Sequence, residues 1–293
     1  MKDEMSIERG YNMPAMADTF ENIEFTYDSQ KRISPAVEEL LSTILYRDLI
    51  YQLIRRDIVA RYKRSVLGVF WTMLQPLGMM VVMSIVFSTL FSRIEGYVAY
   101  LLSGLIAWSF FSQTTTSAVH QIITGSTLLK RIYVPKTSFS VSSVGTGLVN
   151  LVLSLIPLLL IMFFIKRPIT WAFLFIPIPI LLLAAFSLGI CLTLSTLAIQ
   201  FPDVKEMYQI ILQAWMYLTP IIYPQDIIPA AYRHLILYLN PMYYLIEMFR
   251  IPIYNGSLPP MDILFGGASL AITTLIIGWI YYSYQSDKFA YLA

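Results

Sequence analysis

The chain has 293 residues, of which 57% are hydrophobic and 13% charged, with a formal net charge of +2. Soluble domains carry about 25% charged residues, so the shortfall excludes a water-covered globule and predicts an all-α integral membrane protein. A single cysteine, Cys191, excludes an internal disulfide, and two distant histidines, His120 and His234, leave no metal-ligand spacing.

Residues 1–36 are polar and mildly acidic, with no apolar core behind a basic start. They read as a polar tail on the cytoplasmic side, not a signal peptide. Residues 37–293 read as one membrane domain. Over 44–62, Tyr46, Ile50, Ile54, Ile58 and Tyr62 recur every four residues beside Leu45, Leu49 and Leu53. Arg47, Gln52, Arg55, Arg56 and Arg61 take the other side. This periodicity predicts an N-terminal amphipathic interfacial helix with its cations at lipid headgroups. A solvated helix packed on its own protein is the alternative.

A spanning helix needs about 20 apolar residues. Six transmembrane helices are expected, at about Val69–Phe91, Val98–Val119, between Lys136 and Lys166, Ile178–Ile199, Met207–Ile222 and Ile263–Tyr284. Between spans five and six, Tyr223–Asp262 carries six prolines and an uncharged run of half-span length, Leu235–Ile246. Two short re-entrant helices on the outer side, separated near Asn240-Pro241, fit that pattern, since broken apolar pieces at membrane depth are tolerated when buried in protein or lining a cavity.

The basic residues choose the orientation. With the N-terminus inside, ten Lys and Arg flank the spans on the cytoplasmic side. Five, namely Arg93, Lys166, Arg167, Arg233 and Arg250, fall outside. That bias predicts both termini in the cytoplasm. None of the six spans has an interior Asp, Glu, Lys or Arg; Asp203, Glu206, Asp226, Glu247 and Asp262 fall in loops or at span ends. Ion-driven transporters place ionisable groups in the membrane, and a membrane enzyme needs a positioned acid, base, nucleophile or metal. No phosphate-binding loop of the G-x-x-x-x-G-K-[ST] type occurs. Neither a catalytic residue, a cofactor nor a metal is therefore expected in this chain, and nothing points to nucleic acid. Any uphill work needs a partner.

One cytoplasmic segment could receive that partner. Gly125–Phe139 combines Leu128, Leu129, Ile132 and Tyr133 with Lys130, Arg131 and Lys136, and stops at Pro135. A short surface helix would offer the apolar residues to a groove on a soluble protein. A positive-inside connecting loop explains the same residues.

At Arg55–Pro76, RRDIVARYKRSVLGVFWTMLQP, the chain resembles the permease subunit of type-2 ABC exporters, in the branch that exports lipid-linked polysaccharides such as O-antigen and teichoic acid. The pattern falls on Arg61, Tyr62, Lys63, Ser65, Leu67, Gly68, Trp71 and Pro76. LLKRIYVPK (Leu128–Lys136) is similar to the family's coupling helix, YLTPIIYP (Tyr217–Pro224) to the end of span five, and LNPMYYLIEMFR (Leu239–Arg250) to the stretch before the last span. The likeness covers about residues 45–293. It departs at Pro202-Asp203, where the family commonly has Arg-Asp.

The resemblance implies a homodimer in a bacterial or archaeal cytoplasmic (inner) membrane, with two copies of a separate ABC ATPase that carries ATP and Mg. It also implies an aromatic-lined channel for a lipid-linked glycan. Trp71, Phe87, Trp215 and Tyr217 in spans one and five are the candidate lining, because flat rings stack on successive sugars without trapping one. Trp108, Phe110 and Phe111 are open between lining and anchoring. Arg55, Arg56 and Arg61 are candidates for the substrate headgroup. A type-2 permease for a drug or small lipid, and a membrane glycosyltransferase, are the competing functions.

Overall fold

A computed structural model describes residues 34–285 apart from 64–67, 69, 92–93, 130–134 and 168–169. Its helical unit begins at Pro35. The described residues form helices without strands. Helix α1 spans Pro35–Leu45, α2 Arg47–Tyr62, α3 Phe70–Phe87, α4 Tyr97–Leu129 and α5 Thr137–Phe164. After a 3-10 turn at Trp171–Phe175 come α6 (Pro177–Gln200) and α7 (Val204–Leu218). A single turn α8 (Ala230–Arg233) continues into a π turn, His234–Tyr238, before α9 (Pro241–Tyr254) and α10 (Met261–Gln285).

Four segments are long and apolar enough to cross a membrane: α3, α5, the turn with α6, and α10. The other two expected spans are helical but weaker by that measure. Helix α4 has 33 residues, but the polar run Ser112–Ser117 (SQTTTS) interrupts its apolar character. Helix α7 has 15 residues, about 22 Å at 1.5 Å per residue. The two expected short helices on either side of Asn240-Pro241 are present. Asn240 caps α9 by accepting from the Met242 N–H at 3.1 Å, with Pro241 at the first helical position, where no N–H is needed.

Helix α4 is the hub, packed on α3, α5, α6, α7 and α9. Its buried Leu101, Leu102, Ile106 and Phe111 meet Leu158 of α5, Phe186 of α6 and Phe249 of α9 in one core. Helices α6 and α10 touch backbone to backbone. A Cβ added at Gly278 would collide with the Gly189 carbonyl, and one at Gly189 with the Thr274 carbonyl. Small residues permit such contact where helices cannot rely on water to drive them together.

The helix packed before α3 is α2, which does not run straight into the span. It ends at Tyr62, Lys63 is extended, and Gly68 has φ 50°. Its Ile50 and Leu53 are buried, and Leu53 packs with Val119, Ile122, Phe139 and Ala198. Arg55, Arg56 and Arg61 stay exposed. One face therefore rests on the protein while Arg55 and Arg56 stay at the surface.

Contacts define the two ends of the bundle. At one, the Glu95 carbonyl accepts from Tyr254 Oη at 2.6 Å and from Arg167 Nη2 at 2.5 Å, and Thr170 Oγ1 donates to Gly256 O at 2.8 Å. At the other, Thr137 Oγ1 donates to Glu39 Oε2 at 3.1 Å, and Gln121 Nε2 to Asp57 Oδ2 at 2.7 Å.

Candidate functional site

Helices α3 and α7 flank α4 and leave an open groove of about 910 Å³ between them. The polar run on α4 sets its chemistry. At 3.6 residues per turn, Ser112, Gln113, Thr116 and Ser117 turn toward the groove with His120 one turn on. Thr114 and Thr115 turn away. Thr115 Oγ1 donates to Phe111 O at 2.8 Å and accepts from Tyr208 Oη of α7 at 2.7 Å. The opposite walls contribute Trp71, Thr72, Leu74 and Gln75 from α3 and Lys205 and Gln209 from α7. Arg61, at the end of α2, closes one end. Gln113 Nε2 reaches Gln75 Oε1 at 3.3 Å, a single long bond across the groove.

Among the described residues this lining offers neutral donors and acceptors in both amide and hydroxyl form, three basic side chains and no carboxylate. The exposed Trp71 ring adds a flat apolar face. Such a surface can exchange hydrogen bonds with a polyhydroxylated ligand and stack on its C–H faces. Its fixed charges, Arg61 and Lys205, are positive.

Behind α3 lies a smaller, narrow space of about 30 Å³, between α3, α4 and α5. The buried hydroxyls of Thr114, Ser143 and Thr146 face it and have no hydrogen-bond partner among the described residues. Thr72, Gln113, Ser117 and Arg61 line both spaces. Polar clefts thus border α3 on two sides, and its Trp71, Val82 and Ile85 are left exposed.

The sequence-predicted aromatics separate into two groups. Trp71 and Tyr217 are exposed. Trp215 is half-buried in a ring cluster, 5.3 Å from Phe111, 6.2 Å from Trp108 and 6.5 Å from Phe186. Its Nε1–H donates to Asn240 Oδ1 at 2.8 Å, Asn240 Nδ2 donates to Thr219 Oγ1 at 2.8 Å, and Thr219 Oγ1 donates back to Trp215 O at 2.8 Å. Phe87 is half-buried and stacks on Phe91 at 5.9 Å. Trp108, Phe110 and Phe111 belong to the buried core. Trp71 opens α3, whereas Trp215 lies about 16 Å along α7, so these rings do not share one level.

The same far end holds a group that sequence reading placed in an outer loop. Arg250 of α9 is 1% exposed. Its Nη1 pairs with Glu247 at 2.6 Å and donates to Pro220 O at 3.0 Å, while Nη2 donates to Ile221 O at 3.2 Å. The guanidinium lies 3.9 Å from the centre of the Tyr100 ring. Gly104 of α4 makes the space, since a Cβ there would collide with the guanidinium. Helix α9 carries both charges into the bundle, so counting charges within spans overlooked them.

The expected docking segment is only partly described. Leu128 and Leu129 close α4, with their side chains outside the described residues, as are Lys130, Arg131, Ile132 and Tyr133 altogether. Pro135 is buried and Lys136 half-buried where α5 begins. Of the headgroup candidates, Arg56 pairs with the adjacent Asp57 at 2.9 Å, and Arg61 reaches the groove. Sequence reasoning missed Gln75, Gln113 and Gln209 as lining. The SQTTTS run in an otherwise apolar span was the available signal.

Residues 48–254 match the family model described as ABC-2 type transporter. The chain is 30% identical to an O-antigen export system permease protein of Myxococcus xanthus over 84% of this chain and 95% of that protein. It is 26% identical to an O-antigen export system permease protein of Klebsiella pneumoniae, over 72% and 82% of the two chains. With the polysialic acid transport protein of Escherichia coli it shares 23% identity over 79% and 91%. A match over most of the helical bundle, hub and groove included, makes this multi-pass membrane protein a member of the ABC-2 type transporter family.

Proposed function

We propose that the chain is the transmembrane subunit of an ATP-driven exporter of a lipid-linked polysaccharide, an O-antigen, teichoic acid or similar surface glycan. The observation that carries this reading is the groove between α3, α4 and α7, open, uncharged along its amides and hydroxyls, and basic at one end. A sugar chain presents dense hydroxyls and needs many weak, exchangeable contacts. The names of the relatives in three organisms support the same substrate class.

In this reading the chain has six spans, with α4 and α7 crossing beside the four more apolar segments. Both termini and the tail 1–36 lie in the cytoplasm, so Arg61, His120 and Lys205 stand at the cytoplasmic mouth, where a lipid-linked phosphate headgroup would arrive. Arg55 and Arg56 assist at the interface. Two copies pair through the exposed faces of α3 and α7, bringing Trp71 and Tyr217 onto a shared path. Two ABC ATPase subunits, with ATP and Mg, dock on Leu128–Lys136.

The test is reconstitution of the chain with its ATPase in proteoliposomes, following ATP-dependent movement of a lipid-linked glycan to the opposite face. Gln113→Leu with Gln209→Leu should slow movement while leaving complex yield unchanged. ATPase activity stimulated by small amphiphiles, and not by the glycan, would instead support a drug or small-lipid permease. Leu129→Asp should release the ATPase from the purified complex, because an unpaired carboxylate would enter an apolar contact. Intact co-purification would reject the docking assignment. A cysteine at Ser257 should be labelled only from outside the cell and one at Ser126 only from the cytoplasm; the reverse pattern would reject the orientation.

A further inference from the structure

We propose that the turn closing α5 is a binding site for an anionic phospholipid of the outer leaflet, with Lys166 holding the phosphate and Phe163 and Phe164 supporting the acyl chains. Its placement in the outer leaflet rests on the orientation given above; the site itself does not. An open cavity of about 540 Å³ is lined by Phe163, Phe164, Lys166 and Arg167. The two phenylalanines are 74% and 78% exposed and meet edge to face, with centroids 6.1 Å apart. Cations above an exposed apolar floor match a molecule with a negative head and a hydrocarbon tail. Free phosphate would use the cations and leave the rings unmatched.

The backbone supports a specific role for Lys166. Its N–H donates to Phe163 O at 3.1 Å, and the Arg167 N–H donates to Met162 O at 3.0 Å. This is the helix-ending arrangement whose left-handed residue is usually glycine. Here that residue is Lys166, with φ 58°, and a side chain at such a position is strained. A lysine near a helix C-terminus also complements the helix dipole. Any position in the last turn would serve that purpose without the strain.

The two cations are not equivalent. Arg167 is engaged, through the Glu95 carbonyl, the Glu95 carboxylate at 3.8 Å and the Tyr254 ring at 5.0 Å. Among the described residues no carboxylate pairs with Lys166. The pair also runs against the charge bias of the chain, which concentrates Lys and Arg on the other face. A phosphate on that face accounts for the exception.

The test uses the full chain in nanodiscs of phosphatidylcholine with or without phosphatidylglycerol. Native mass spectrometry reads retained lipid, and a thermal melt reads stability. The wild-type chain should retain phosphatidylglycerol selectively and melt higher with it. Lys166→Gly relieves the backbone strain while deleting the charge. It should melt higher than wild type in phosphatidylcholine yet lose selective retention by roughly tenfold, the scale of one charge-assisted hydrogen bond. Lys166→Arg should keep retention. Retention by Lys166→Gly equal to wild type would overturn the proposal. So would stabilisation by inorganic phosphate matching that by phosphatidylglycerol, which would leave an anion site with no use for the rings. Retention as proposed, with a cysteine at Ser257 labelled from the cytoplasm, would keep the site and overturn its leaflet, since Gly256 is bonded to the same end of the bundle.

Discussion

The Arg250 knot and the groove use similar polar chemistry in opposite ways. Around Arg250 the two terminal nitrogens and the flat face are engaged by a carboxylate, two carbonyls and an aromatic ring, in the space left by Gly104; its buried Nε has no partner among the described residues. In the groove, Gln75 and Gln113 share one long bond, and Gln209 is exposed. Buried polar groups with fixed partners rigidify a fold. Exposed ones with spare hydrogen-bonding capacity are available to a ligand. The contrast separates residues that hold this bundle from residues left free to meet a ligand.

Breaking the knot should have the largest effect. Arg250→Leu leaves Glu247 without its partner and removes the donors to Pro220 and Ile221, at a cost of about 3–5 kcal/mol. Little folded protein should survive size-exclusion chromatography. Adding Glu247→Leu should recover part of the loss, and a double-mutant cycle would measure the coupling. A stable Arg250→Leu variant would show that the knot is not structural.

Next in size is Trp215→Ala. This ring packs on three others and donates to Asn240, so truncation should cost about 3–5 kcal/mol. Trp215→Phe keeps most of the packing and loses the hydrogen bond, about 1 kcal/mol. A thermal melt of both variants distinguishes ring packing from a lining role. If Trp215→Ala folds as wild type and only export falls, Trp215 belongs with the path.

The groove variants should show the smallest change in stability and a clear change in transport. Trp71→Ala and Tyr217→Ala alter exposed rings, so stability should stay within about 0.5 kcal/mol. Export by each should fall while ATPase binding persists. Gln113→Leu should behave likewise, losing contacts worth ~1 kcal/mol apiece. Loss of folding in these variants would erase the distinction between the two regions.

The helices were largely legible because long apolar runs and proline-rich breaks are local signals. Thr137–Phe164 and Met261–Gln285 lie close to the expected third and sixth spans. The Asn240-Pro241 boundary was readable for the same reason, since a cap and a proline act within one turn. What escaped was three-dimensional. Arg250 looked like an outer-loop cation until α9 carried it against Gly104. Trp215 and Trp71 looked alike as span aromatics, although one joins a ring cluster and the other faces a groove. Only the fold decides which side of α4 each hydroxyl of Ser112–Ser117 meets.

The touching backbones of α6 and α10 bear on where such a bundle can open. With Gly278 against the Gly189 carbonyl and Gly189 against Thr274, no side chain separates the two backbones at this crossing, and Leu192 packs with Tyr282 beside it. Shifting them by one turn would replace glycine with larger neighbours and produce collision. They therefore act as a fixed jamb. Helix α3 borders both clefts, so under the proposed export function a widening of the path would take place at α3 and not at the α6–α10 crossing.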